Sequence, residues 1–264
     1  MAAGRSFEVL ACRLTFVPSG PVRFPATAAN TFRGALGYVL NEPVFRPRQT
    51  AGPSGLADPP RPFVLQADPL DGRTLDGGFE LGLNLFDASL EPQFKSAFEK
   101  VAASGITAQR VPLRLEGWTA RRAVIALDDA PRAASVRVRF ETPVELKGWD
   151  GDGLPPFGIL ARRLRDRLSA LRALYGPGPL EIDFQGFGER ADGVSALGGR
   201  MEKVRGERRS ARTGMVHPLG GVTGSAEYEG ELGEFVPYLR AGAYAGVGRR
   251  TVWGRGRLGV ELIG

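Results

Sequence analysis

The sequence predicts an α+β fold of two tandem ferredoxin-like domains, the topology also used by RNA-recognition modules, with a C-terminal glycine-rich loop. Three observations predict it. The order strand, helix, strand, strand, helix, strand runs once before residue 132 and starts again after it. Strand segments alternate apolar with polar residues, whereas helical segments carry Leu and Phe at helical spacing. Between the two runs lies Asp128-Asp129-Ala130-Pro131-Arg132, a turn-forming stretch that reads as the boundary between domains at 1–132 and 133–264.

Residues 7–17 alternate as a strand closed by Pro18-Ser19-Gly20-Pro21. Residues 27–40 read as a helix, with Phe32, Leu36, Val39 and Leu40 on one stripe and Pro43 beyond its end. Residues 41–61, rich in Pro, Gly and Ser, read as a long loop. Strands are expected at 63–65 and 78–86, a helix at 91–103, and a hairpin from 111–118 and 121–127. In the second run, 135–143 alternates as a strand. Residues 157–175 form an amphipathic helix with Leu160, Leu164, Leu168, Leu171 and Leu174 on one face. Arg162, Arg163, Arg165 and Arg167 lie opposite and read as a solvated face. A basic hairpin region is expected over 200–228, a short helix over 232–241, and a last strand over 257–263.

Composition narrows the chemistry. The 264 residues are 42% hydrophobic and 24% charged, as in soluble globular proteins. No apolar run is long enough for a bilayer, and the start resembles a strand rather than a signal peptide, so a cytoplasmic location without membrane contact is expected. Cys12 is the only cysteine, which excludes an internal disulfide and a thiolate metal cluster; its apolar neighbours point to core packing. His217 is the only histidine, which excludes two-histidine metal sites and paired histidine acid–base catalysis. No metal site and no cofactor is expected.

The net charge is +6, and its distribution is uneven. Residues 197–212 carry Arg200, Lys203, Arg205, Arg208, Arg209 and Arg212 against two glutamates, a local +4. Residues 240–257 carry five arginines and no acid, which leaves −3 for the rest. Positive charge gathered in this way suits a polyanion. The second stretch sets Gly246, Gly248, Gly254 and Gly256 among Arg249, Arg250, Arg255 and Arg257, with Trp253 inside it. Glycines let backbone N–H groups approach an anion, and arginines add planar bidentate donors. A dinucleotide fingerprint is excluded because Thr251 stands where a third glycine would be, and no GxxxxGK[ST] loop occurs. Trp253 can stack on a base or pack against the core.

Several segments, in order, are similar to those of the CRISPR-associated repeat-processing endoribonucleases of the RAMP superfamily. Phe32-Arg33-Gly34-Ala35-Leu36-Gly37 resembles that family's first helix. Pro60-Arg61-Pro62-Phe63-Val64-Leu65 resembles its second segment, and Phe140-Glu141-Thr142-Pro143-Val144 the strand that opens its second domain. Arg209-Ser210-Ala211-Arg212 with Leu219-Gly220-Gly221-Val222-Thr223-Gly224 fits a further stretch, and residues 246–256 resemble its glycine-rich loop. The resemblance implies metal-independent cleavage of precursor CRISPR RNA by the RNA's own 2′-hydroxyl, leaving a 2′,3′-cyclic phosphate. It also implies binding of a repeat stem-loop, retention of the mature CRISPR RNA, and contact with other effector subunits.

Many members place a histidine near the first helix, whereas this chain has none before His217. The resemblance then leaves Arg23, Arg33 and Tyr38 as catalytic candidates, with Arg46 and Arg48 as nearby RNA contacts. His217 either reaches the scissile phosphate or sits on a hairpin surface. Arginine does not readily give up its proton, so its role would be positioning and charge stabilisation. Each candidate also has a plain reading: Arg23 as a loop residue, Arg33 paired with Glu42 or another acid, Tyr38 as a half-buried core aromatic. Two other functions fit the pattern. One is a non-catalytic RAMP subunit that binds CRISPR RNA. The other is a metabolic enzyme on a ferredoxin-like scaffold, for which no carboxylate pair, lysine nucleophile or metal triad is present.

Overall fold

A computed structural model of the chain describes residues 5–40, 44, 59–204, 207–209, 216–218 and 220–263. Two βαββαβ units make up the tandem ferredoxin-like fold. The first contains β1 (Ser6–Pro18), a short β2 (Val22–Arg23), α1 (Ala28–Val39), β3 (Phe63–Gln66), a short β4 (Thr74–Leu75), β5 (Phe79–Leu85), α2 (Glu91–Ser104) and β6 (Leu113–Ala126). Its antiparallel sheet has the order β3-β5-β1-β6, while β2 pairs with β4. The second contains β7 (Ser135–Val144), α3 (Phe157–Tyr175), α4 (Phe184–Asp192), β8 (Ser195–Val204), β9 (Glu207–Arg209), β10 (Val216–Pro218), β11 (Gly221–Glu229), α5 (Val236–Ala245) and β12 (Leu258–Leu262). Its sheet, in the order β12-β7-β11-β8, repeats the arrangement of the first.

The pleat of the first sheet feeds two cores. Cys12, Leu14 and Phe16 of β1 join Phe32 of α1 and Phe94 and Phe98 of α2 on one face. Phe7 and Val9 have the opposite parity and join the core of the second unit, as do Val64 and Phe86. Each fully buried Phe or Leu contributes about 1.5–3 kcal/mol, so burial on both faces ties the units together. Polar contacts reinforce the junction at the end of α5. Gln66 Nε2 donates to the Ala243 carbonyl at 3.0 Å, Asn84 Nδ2 to Tyr244 at 2.9 Å, and Arg167 Nε to Ala245 at 2.8 Å. These side chains satisfy carbonyls that a helix end leaves without partners. The first sheet is therefore no open RNA platform.

The second sheet leaves one face open, but that face is charged and lacks aromatic residues. Arg137 pairs with Glu227 at 2.7 Å and with Glu261 at 3.3 Å, and Arg200 pairs with Glu202 at 2.9 Å. Stacking of bases needs aromatic faces, which this sheet does not offer.

Four expectations need correction. The hairpin at 111–127 is one strand, β6, which pairs along all of β1; a bulge between Thr15 and Phe16 absorbs Glu116 without a turn. The last helix is α5, four residues later than expected, because Pro237 belongs in the first turn, where its missing N–H costs nothing. Helix α4 is an element the sequence pattern does not announce, because Gly186 and Gly188 weaken its helical signal. Asp183 caps it through the Gly186 N–H at 2.9 Å, and a Cβ on Gly188 would stand 2.6 Å from Arg162 Nε.

The fourth concerns the α3 arginines, which are structural rather than a solvated face. Arg162 donates to Asp192 at 2.7 Å and to the Gly188 carbonyl at 2.9 Å, and Arg163 Nε to the Lys147 carbonyl at 3.0 Å. Arg165 is buried with its guanidinium 4.5 Å from the Phe184 ring centre. Burial lowers the pKa of Arg167 to about 10. Cys12 is buried, as expected, and burial pushes its thiol up to about 12, which keeps it protonated. Among the described residues no helix is long and apolar enough to cross a membrane.

Candidate nucleic-acid interface

The segment between α5 and β12 folds back on itself and docks against the first unit. The Val247 N–H donates to the Gly256 carbonyl at 2.9 Å, and the Gly256 N–H to the Pro143 carbonyl at 3.1 Å. Thr251–Trp253 form a short 3-10 turn that packs near β3 and α1. Gly254, at φ 73°, lies so close to β3 that a Cβ would stand 2.7 Å from the Leu65 carbonyl oxygen. Gly246 and Gly248, at φ 66° and 83°, face the carbonyls of Arg255 and Glu145. The glycines thus serve close approach within the protein.

The docking brings distant residues together. The Arg33 guanidinium of α1 lies 5.2 Å from the centre of the half-buried Trp253 ring, a cation–π distance. Arg255 is buried, and its Nη2 donates to Thr27 Oγ1 at 3.2 Å just before α1. The Ala28 N–H at the start of α1 donates to Asp71 Oδ1 at 2.7 Å, so Asp71 caps the helix in place of Thr27. Desolvation pushes the carboxyl of this exposed residue up to about 6, against the pull of the Ala28 N–H and Arg255, and Asp68 adds to the rise. At neutral pH Asp71 is therefore still charged. Burial lowers the pKa of Arg255, with Asp71 opposing the shift.

Carboxylates remote in sequence meet the arginine cluster. Glu145, just after β7, takes Arg249 at 2.7 Å and Arg250 at 2.6 Å. Arg257 reaches Asp68 at 2.8 Å and Glu141 at 2.7 Å. The local +5 of the sequence is therefore largely balanced in space, and these acids were missed because nothing near them signals the pairing. Glu145 and Arg249 are 104 residues apart.

Arg23 is exposed on β2, opposite Thr74, and makes no ion pair among the described residues. Tyr38 is 87% exposed on α1, which removes its reading as a core aromatic. In β9 and β10, Arg208 stands opposite His217 and Arg209 opposite Val216. Arg46, Arg48, Arg205 and Arg212 lie outside the described residues, as does Glu42, the partner considered for Arg33. Among the described residues no group of three His, Cys, Asp or Glu side chains could hold a metal ion.

Residues 138–258 match the sequence model of the family described as CRISPR-associated endoribonuclease Cas6. Among curated proteins no sequence matches the chain. The fold is similar to that of Thermus thermophilus Cas6 (TTHB231), matched in its product complex at 22% identity with a TM-score of 0.65 over 97% of this chain and 100% of that one. The Cas6 (TTHA0078) product complex is similar at 18% identity and a TM-score of 0.58, over 96% of this chain and 99% of that one. A chain of a partial Cas6-RT-Cas1–Cas2 complex matches at 12% identity and a TM-score of 0.66, over 98% of this chain and 47% of that one. The resemblance to the CRISPR repeat-processing family read from the sequence is borne out.

Proposed function

From a Cas6-like fold whose second half also matches the Cas6 family in sequence, we propose that this protein binds the repeat stem-loop of precursor CRISPR RNA and cleaves it by 2′-hydroxyl attack without metal. The single observation that carries this reading is the docking of the 246–257 segment on α1. It packs Trp253 against Arg33 of α1, while Arg249 and Arg250 of the same segment pair with Glu145 and Tyr38 of α1 is exposed. In this reading Arg249, Arg250 and the basic hairpin hold phosphates. Arg23 and Arg33 stabilise the charge that develops on the phosphorane, and Tyr38 or His217 moves a proton. The protein stays bound to the mature CRISPR RNA within an effector complex. Incubation with labelled repeat RNA in EDTA tests the chemistry: a cyclic-phosphate product is expected, and intact RNA at saturating protein would overturn cleavage. The second reading, RNA binding without cleavage, draws on the lack of any histidine before His217.

Two binding results are expected. Affinity for repeat RNA should fall steeply with salt, by a log–log slope of about −0.7 for each single-strand phosphate neutralised. An affinity flat between low and physiological salt would refute the polyanion reading. Arg249→Ala with Arg250→Ala should weaken repeat binding roughly tenfold, a loss of about 1.4 kcal/mol. Arg162→Ala with Arg163→Ala should instead act on stability, because those guanidiniums hold Asp192, Gly188 and Lys147. Equal losses of RNA affinity from both pairs, with the fold intact, would show that overall charge dominates.

A further inference from the structure

We propose that Glu145 is a specificity-determining residue, a built-in carboxylate that competes with RNA phosphate for Arg249 and Arg250 and holds the two guanidiniums in one fixed pose. The inference rests on the reading above that this arginine pair contacts RNA. Three observations carry it. The two oxygens of Glu145 are shared between the two arginines, Oε1 with Arg249 Nη1 at 2.7 Å and Oε2 with Arg250 Nη1 at 2.6 Å, as two oxygens of a phosphate would be. The backbone that carries the carboxylate is fixed, because the Glu145 carbonyl also accepts the Arg249 N–H at 3.0 Å and the flanking Val144 and Leu146 are buried. Arg250 holds a left-handed backbone at φ 62°, unusual for a residue with a side chain; such a conformation persists only where its surroundings enforce it. Side-chain exposures of 60% for Arg249 and 22% for Arg250 leave both within reach of a ligand.

The consequence follows from donor counting. Each guanidinium has five N–H donors, and Glu145 engages one nitrogen of each. A phosphate placed correctly by other contacts can use the remaining donors with Glu145 still in place. An RNA held mainly by charge meets a pair that is half neutralised, beside a carboxylate that repels it. Glu145 therefore weakens indiscriminate RNA binding more than binding of the repeat.

Affinities of wild type, Glu145→Gln and Arg249→Ala/Arg250→Ala for repeat RNA and for an unrelated single strand test this, with thermal melting to check the fold. Glu145→Gln keeps the size and one acceptor oxygen. It should tighten the unrelated strand roughly three- to tenfold, steepen its salt slope by about 0.7, and change repeat affinity less than twofold. In the double-alanine background the same substitution should tighten the unrelated strand much less, by the lost carboxylate repulsion alone. An unchanged affinity for the unrelated strand, equal tightening of both RNAs, or weakening of both would overturn the inference while leaving the function intact. If the double alanine binds both RNAs like wild type, the arginine reading itself fails. Glu145→Asp, which keeps the charge but shortens the reach, should still disfavour the unrelated strand.

Discussion

Gly256→Ala should destabilise the protein by more than about 3 kcal/mol and abolish RNA binding, the largest stability effect expected of a single methyl group in this chain. Gly256 sits at φ 73°, and a Cβ there would stand 1.9 Å from the Val247 carbonyl oxygen and 2.9 Å from its carbon and nitrogen. These are backbone atoms, so no side chain can swing aside. The same Val247 backbone donates its N–H to the Gly256 carbonyl, closing the fold-back that carries Arg249, Arg250 and Trp253. Opening it would also draw Gly254 from β3 and loosen the two units. Against a total stability of roughly 5–15 kcal/mol such a loss is large. Gly153→Ala is the control: its φ is 62° but nothing lies within 4 Å of the place its methyl group would take, so it should cost only the strain of the conformation, about 1–2 kcal/mol. Denaturant unfolding that gives both variants the same loss would show that the fold-back is not closed as described.

Arg23→Ala should reduce cleavage of repeat RNA by at least about 10²–10³-fold, the effect of removing one donor to a developing oxyanion. Binding should stay within a few-fold, because a contact made mainly to transition-state charge contributes little to the ground state. Arg23 suits this test because it is exposed and has no ion pair among the described residues, so its loss should spare the fold. If Tyr38 rather than His217 moves the proton, His217→Ala should cost little, and the rate should show no titration near ~6.5, the ordinary histidine value. An inactive His217→Ala protein whose parent shows an acid limb in its pH profile would move the catalytic centre to the β9–β10 hairpin. Single-turnover rates across pH for both variants decide between the two.

What the sequence alone determined is the order and type of the elements. Alternation placed β1 and β7, leucine spacing placed α3 from Phe157 to Tyr175, and the repeated order announced two ferredoxin-like units. These signals are local, since a strand or an amphipathic helix writes its period into adjacent residues. The sequence also marked the arginines and glycines after α5 as unusual, and singled out Arg33 and Trp253. Only the tertiary structure decided what surrounds them. That Trp253 faces Arg33, that Glu145 clasps Arg249 and Arg250, and that Arg257 joins Asp68 to Glu141 are contacts between residues far apart in the chain. The α3 arginines, four like charges within six residues, became a framework because α4, α5 and the Lys147 carbonyl supply their acceptors. The physical reason is common to all of these: electrostatics and close packing depend on distance in space, and a window of sequence records the charges it contains but not those folded against it.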